Sequence, residues 1–360
     1  MSRPLNVLIA PDKFKGTLTA RQAAEAMAEG VRRARPDAAV DLCPMSDGGD
    51  GFVDVLAGPI DATRVTRTVT GPLPGMRVDA TFAVAGDLAI IEFAAASGLA
   101  LLNQADRDPT RTTSYGTGEL VRHAVAMDCR RVLIGLGGSA TVDGGLGLLQ
   151  AMGHRVTLGD APHGATTAPL TGGDLPRVVG VGRGGPCDGL EVRAACDVTT
   201  PVAEAAATFG PQKGATPTQV RHLTAGLRHL ARVLRQPERQ PRTGAAGGAG
   251  LALLAVGGEL LAGVELVAEA LGVADSVRRA DLVLTGEGCC DATSFDGKVV
   301  GHLLRLAGAT PTCVIAGRVT PDAARVLGER GHALVDGPAD PAGALTAAAE
   351  RAVLDLDAVG

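Results

Sequence analysis

The chain opens with a short apolar run, Asn6 to Ala10, followed by a loop from Pro11 to Leu18 that carries Asp12, Lys13 and Lys15. Thr19 with Gln22 three residues on is the signature of a capped helix start. Ala24, Met27 and Val31 then recur at helical spacing until Pro36 stops the helix. Val40 to Leu42 supplies a second strand, whose carboxyl end runs into Pro44-Met45-Ser46-Asp47-Gly48-Gly49-Asp50-Gly51. Strand, loop, helix and strand in this order predict a parallel α/β unit. In a doubly wound sheet both loops open on one edge, the edge where ligands bind.

From residue 64 the pattern changes. Val65 to Val69, a Gly-Pro turn at 71 to 75, Val78 to Val84, Gly86-Asp87 and Leu88 to Phe93 read as an antiparallel meander. Helical patterns near 117 to 127 and 144 to 152 flank an apolar strand at Val132 to Leu136, and Gly/Pro-rich loops run from about 157 to 190. Thr216-Pro217 opens another helix, with Val220, Leu223, Leu227 and Leu230 on one face, ending near Gln236. The Pro- and Gly-rich stretch from 236 to 250 is either a linker or a Gly-rich binding loop. After Asp281, short buried-type strands return at Leu282 to Thr285, Cys313 to Ala316 and Ala333 to Val335. The pattern predicts a parallel α/β domain built from residues 1–66 and 278–360, with residues 67–277 inserted as a second domain containing the mixed sheet.

Length and composition fit two α/β units: 360 residues, apolar content dominated by Ala, Val and Leu, no Trp, one Tyr and six Phe. A net charge of −5 without a basic run, and so few aromatic rings for base stacking, argue against nucleic-acid binding. The apolar run at the N-terminus is too short for a signal peptide. No segment approaches the roughly 20 apolar residues of a membrane span. Seven scattered cysteines, the closest pair being the vicinal Cys289 and Cys290, predict neither a disulfide framework nor a zinc site but a reduced, cytoplasmic protein. His222 and His229, seven apart on the predicted helix, read as surface residues.

Gly135 to Ala140 follows a strand and matches the dinucleotide G-x-G-x-x-A pattern. In a chain with 50 glycines that match is weak, and the acidic residue expected about 20 positions on is not cleanly placed. No Walker A motif exists: Gly297-Lys298 is followed by Val299, without the hydroxyl that would hold magnesium. The chain offers instead a series of Gly-rich segments, each holding an acid, a hydroxyl or a lysine. They are APDKFKGTL at 10–18, SDGGDG at 46–51, TSYGTGEL at 113–120, GGSATVDGG at 137–145, ACDV at 195–198, FGPQKGAT at 209–216, and TGEG followed by Asp291 at 285–291. Backbone N–H groups that approach an anion, lysines that neutralise phosphate and carboxylates that hold Mg²⁺ or accept a hydroxyl proton are the parts phosphoryl transfer needs.

In order and wording these segments resemble the glycerate kinase family, and the resemblance runs nearly end to end. It rests above all on FGPQKGAT and GTGEL, with Gly137 to Thr141, Asp143 to Gly145 and Thr285 to Gly288. It implies two α/β domains, one flavodoxin-like, with the active site in the cleft between them. It also implies ATP and Mg²⁺ as co-substrates and D-glycerate as acceptor, phosphorylated in many members at the 2-hydroxyl.

On that footing Lys213, in a Gly-bounded loop before a Pro-started helix, is the expected phosphate-contacting cation, helped by the helix N-terminus. Asp197 is expected to accept the hydroxyl proton or hold the metal, which Asp47 would share. Ser139 and Thr141 are expected to cradle an anion. Asp12, Lys15, Ser46, Asp47, Glu287, Asp291 and Lys298 are expected to bind substrate or phosphate. One segment departs from the family: after Gly288 it usually reads Arg, an aliphatic residue, Asp, any residue, Gln, whereas this chain has Cys289, Cys290, Asp291, Ala292, Thr293. Lys13 and Gly16 also stand where Ser and Glu are common. Three readings follow: a glycerate kinase, a kinase for another small hydroxy acid, or a non-catalytic nucleotide-binding relative.

Overall fold

The structure is a computed structural model that describes residues 3–159, 168–182, 184–328, 332–334 and 340–359. The strands are β1 (Asn6–Ile9), β2 (Ala39–Leu42), β3 (Thr63–Thr70), β4 (Arg77–Ala85), β5 (Leu88–Glu92), β6 (Arg131–Gly135), β7 (Arg155–Leu158), β8 (Val178–Gly182), β9 (Glu191–Cys196), β10 (Glu259–Ala262), β11 (Leu282–Cys290), β12 (Thr312–Val319) and β13 (His332–Leu334). The chain divides into two compact units, residues 1–47 with 264–360, and residues 48–263. The crossings fall before the expected 66 and 277. Helix Phe52–Ala57 packs on β5, so it joins the second unit although its residues lie within the expected 1–66 segment of the first.

The first unit is a five-stranded, wholly parallel sheet in the order β2-β1-β11-β12-β13. Numbered within the unit, that is the flavodoxin-like order 2-1-3-4-5. Helix Ala20–Ala34 starts on the expected Thr19–Gln22 capping box. It buries Ala23, Ala24, Met27, Ala28 and Val31 against Leu345, Ala348, Ala349 and Val353 of the C-terminal helix Pro341–Val359. A Cβ on Gly30 would lie 2.1 Å from the Thr346 carbonyl oxygen, so glycine lets the two helices close up. Truncating the fully buried Met27 to alanine would cost about 2–5 kcal/mol. On the other face Cys290, Val300, Leu304, Val314, Ala316, Ala323 and Leu327 form a separate core. β11 extends well past the expected Leu282–Thr285, because β12 pairs with it to the end and sets Arg318 opposite Cys289.

The second unit holds a six-stranded sheet in the order β10-β9-β6-β5-β4-β3. Its first four strands are parallel, and β5-β4-β3 is the expected antiparallel meander. In the stretch read as loops from 157 to 190, β7 and β8 form an antiparallel ribbon. Within the 236–250 stretch Ala245 to Gly250 are buried, and Ala246, Gly247 and Gly248 take positive φ values of 50°, 65° and 97° at the start of helix Ala245–Ala255. A Cβ on Gly247 would lie 1.9 Å from the Thr141 carbonyl oxygen. This turn therefore backs the 141–144 loop directly. Among the described residues, no helix is long and apolar enough to cross a membrane.

Candidate active site

In the second unit, helix Val202–Phe209 runs into a single 3-10 turn, Pro211–Lys213, and the chain reverses at Gly214 (φ 93°). Thr216 then caps helix Pro217–Val233 through a box with Gln219. Lys213 is thereby held between two helix ends and is only 3% exposed. Its Nζ donates to Ser139 Oγ and to the Thr141 carbonyl, both at 2.8 Å. Burial pushes the ammonium down to about 7, against the attraction of Asp143 and Asp197. An ammonium has three donors, of which the described residues take two, so that an anion could meet the third and restore the charge.

The loop that presents Ser139 and Thr141 is built by backbone contacts. Leu99 N donates to the Gly138 carbonyl and Ala140 N to the Ser97 carbonyl, at 2.8 and 2.9 Å. A Cβ at Gly135 would come within 2.7 Å of the Gly48 oxygen, and one at Gly137 within 2.4 Å of Gly49 Cα. The glycines that imitate a dinucleotide pattern thus admit another stretch of backbone rather than a pyrophosphate. The side chain of Thr141 turns inward to the Ala246 carbonyl, at 3.4 Å, and its own carbonyl faces Lys213.

Asp143, singled out in sequence only as part of a motif, anchors this arrangement. One carboxylate oxygen accepts from Ser114 N (2.8 Å), Ser114 Oγ (2.6 Å) and Gly147 N (3.2 Å), and the other from Gly145 N (3.0 Å). Burial raises its pKa, while the Ser114, Gly145 and Gly147 donors pull it down. The readable signal was an acid followed by Gly-Gly at a helix start. Asp197 directly follows β9, is exposed, and acts on Lys213 through its charge.

In the first unit the carboxyl ends of β1, β2 and β11 carry the second group of expected residues. Asp12 N donates to the Gly286 carbonyl and Met45 N to the Pro11 carbonyl, which fixes the loops after these strands. Asp12 is buried, and burial followed by repulsion from Asp47 raises its pKa to about 7. Lys13 Nζ lies 3.5 Å from Asp47 and 3.9 Å from Asp12. The cation at these acids is therefore Lys13, while Lys15 is exposed on the far side of Phe14 in sequence. Ser46 is buried beside them in the chain. Glu287 is half-buried, its Oε1 has no partner among the described residues, and burial raises its pKa. Asp291 caps the turn Ala292–Phe295, accepting from Thr293 N and Thr293 Oγ1 at 2.8 and 2.6 Å. Lys298 Nζ donates to that same hydroxyl at 2.9 Å. At the family's arginine position, Arg318 of β12 reaches across and donates to Cys289 Sγ at 3.3 Å. A guanidinium thus stands next to residue 289, from the neighbouring strand.

Magnesium is usually held by one or two carboxylates together with substrate phosphates rather than by a full protein cage. Among the described residues no group of three His, Cys, Asp or Glu forms such a cage. Asp12 and Asp47, whose mutual repulsion shows in the raised pKa of Asp12, fit the two-carboxylate mode. Asp47 and Asp197, expected to share the ion, belong to different units.

A flavodoxin-like parallel unit, a second α/β unit and a buried lysine held between Gly-rich loops are parts that a small-molecule phosphotransferase can use. The chain matches the profile of the Glycerate kinase family over residues 7–358. It is 39% identical over 334 residues to the glycerate 2-kinase of Escherichia coli (strain K12), covering 88% of this chain and 86% of the relative. With the glycerate kinase of Haemophilus influenzae it shares 41% identity over 335 residues, 88% and 87% of the two chains. The crystal structure of a candidate glycerate kinase 2 from Salmonella typhimurium LT2 superposes with a TM-score of 0.84 at 34% identity, covering 99% of each chain. The chain belongs to the glycerate kinase family, and it is a kinase.

Proposed function

We propose that the protein transfers the γ-phosphoryl group of ATP to the 2-hydroxyl of D-glycerate, with Mg²⁺ as cofactor. The observation that carries this reading is Lys213: a buried lysine, pinned by Ser139 and the Thr141 carbonyl, with one donor left for an anion. The names of the Escherichia coli and Haemophilus influenzae relatives support glycerate as acceptor, and the first supports the 2-hydroxyl. The guanidinium of Arg318 beside Cys289 supports retention of an anion-binding group where the family's arginine is missing.

In this reading Lys213 neutralises the charge that develops on the transferring phosphoryl oxygens. The acceptor oxygen forms the new P–O bond, the bond to the ADP oxygen breaks, and the hydroxyl proton passes to the carboxylate of Asp197. Mg²⁺, held through Asp12 and Asp47, would offset charge on the nucleotide phosphates. Lys298 and Glu287 orient polar groups of the substrates, while Asp291 keeps the Lys298 loop in shape through Thr293. The seven free thiols support a reduced, cytoplasmic setting.

The test is incubation of the purified protein with ATP, Mg²⁺ and D-glycerate, with ADP release followed and the product read by phosphorus NMR. 2-Phosphoglycerate is expected. ADP release at background level would reject glycerate, and a panel of other hydroxy acids would then separate a changed acceptor from lost catalysis.

A further inference from the structure

Arg107 lies in the loop between the short turn Gln104–Asp106 and helix Tyr115–Val125. Its backbone is pressed against the residue after Lys213. A Cβ on Gly214 would lie 2.2 Å from the Arg107 oxygen and 2.9 Å from the Arg107 Cβ, so only glycine admits the contact. The same loop is tied to both segments that hold the Lys213 ammonium. Gln219 Nε2 donates to Asp108 Oδ1 at 3.0 Å, and Thr112 Oγ1 donates to the Ala140 carbonyl at 3.2 Å. The root of the Arg107 side chain is therefore fixed at the Lys213 loop by several independent contacts.

The Arg107 side chain is half-buried, and its Nε, which is buried, meets no acceptor among the described residues. Both acids next to it in sequence are engaged elsewhere: Asp108 Oδ1 takes Thr110 N, Thr110 Oγ1 and Gln219 Nε2, and Asp106 Oδ2 takes Asn103 Nδ2. A buried N–H without an acceptor is costly, and here it sits on a backbone that packing against Gly214 fixes. A guanidinium presents a planar fork that matches a carboxylate or a phosphate with two parallel hydrogen bonds.

We propose that Arg107 binds a substrate oxyanion at the Lys213 loop, either the carboxylate of the hydroxy-acid acceptor or a phosphate of the nucleotide. The proposal rests on the phosphoryl-transfer reading above. It makes Arg107 a binding and specificity residue, with Lys213 facing the reacting phosphoryl group and Arg107 fixing the anion that orients the substrate.

The experiment uses the full chain with Arg107→Met, Arg107→Gln and Arg107→Lys, each checked for wild-type circular dichroism and melting. KM is measured separately for D-glycerate and for ATP, and binding of D-glycerate, ATP and inorganic phosphate is measured by calorimetry without turnover. Loss of a charge-assisted pair predicts a rise in one KM on the order of 30-fold or more in Arg107→Met, with the matching loss of binding. Arg107→Lys is expected to recover part of it, because it restores charge without the fork. A change confined to D-glycerate identifies the carboxylate, and a change confined to ATP and phosphate identifies the nucleotide. Values within twofold of wild type in folded Arg107→Met or Arg107→Gln would overturn the proposal. If the wild type turns over neither substrate, the kinase reading fails by itself. The calorimetric arm still decides this one: oxyanion binding lost in Arg107→Met or Arg107→Gln supports it, and binding that is absent in wild type or unchanged in the variants overturns it.

Discussion

Replacing Lys213 by methionine is expected to stabilise the protein near neutral pH and destabilise it in alkali, while abolishing phosphoryl transfer. In the folded chain the ammonium is pushed from 10.5 to about 7 by burial. Between those values the unfolded chain keeps a proton that the folded chain has released, so stability rises with pH across that window. Each pH unit adds about 1.4 kcal/mol, or about 5 kcal/mol over the whole window. Below pH 7 both states are protonated and the full penalty stands. Methionine removes the penalty but leaves Ser139 Oγ and the Thr141 carbonyl without their donor, at about 1–2 kcal/mol each. The variant should thus be about 1–3 kcal/mol more stable than wild type at pH 6 and about 2–4 kcal/mol less stable near pH 10.5. Denaturant midpoints of both proteins at half-unit steps from pH 6 to 10.5 measure the difference, in which shifts of the buried cysteines cancel. A difference independent of pH would refute the claim that Lys213 is held as a weakly charged, primed group.

The same logic runs with opposite sign at Asp12, whose pKa is raised from 3.8 to about 7, so the stability it contributes is complete below pH 3.8 and lost as pH rises through 7. Asp12→Asn should therefore gain about 4 kcal/mol on wild type between pH 4 and pH 8, read from chemical denaturation at the two pH values. Asp143→Ala strips the acceptor from Ser114 N, Ser114 Oγ, Gly145 N and Gly147 N and should lower stability by about 3–5 kcal/mol, a loss that thermal and urea unfolding would both register. In kinetics, the free-enzyme pH profile of kcat/KM should fall above about pH 7 as Lys213 deprotonates, and a profile flat to pH 9 would contradict its assigned role.

Much of the arrangement was legible in the sequence because it follows from local rules. Thr19 with Gln22 and Thr216 with Gln219 specify their helix starts through contacts three residues apart. The three strand runs in 63–92, separated by a Gly-Pro turn and by Gly86-Asp87, specify an antiparallel meander, since connections that short cannot carry a parallel crossover. Lys213, Ser139 and Thr141 were each named from loops of distinctive wording, and the family likeness that named them holds over residues 7–358. Less legible was the extension of β11 to Cys290, because its last residues gain strand geometry only from pairing with β12.

The sequence by itself determined the element types, the family and the residue kinds at the loops, because those depend on propensity, period and motif. Only the tertiary structure decided which lysine meets the acids, since Lys13 and Lys15 differ by two positions on an irregular loop with no period to orient them. It also decided that Gly244 to Gly250 form a buried support, because Gly247 is required by the Thr141 carbonyl more than 100 residues away. Asp143 gained its place in the same way, through Ser114, and Arg107 through Gly214. Contacts of that kind are set by how distant segments pack, and no local pattern in the chain encodes them.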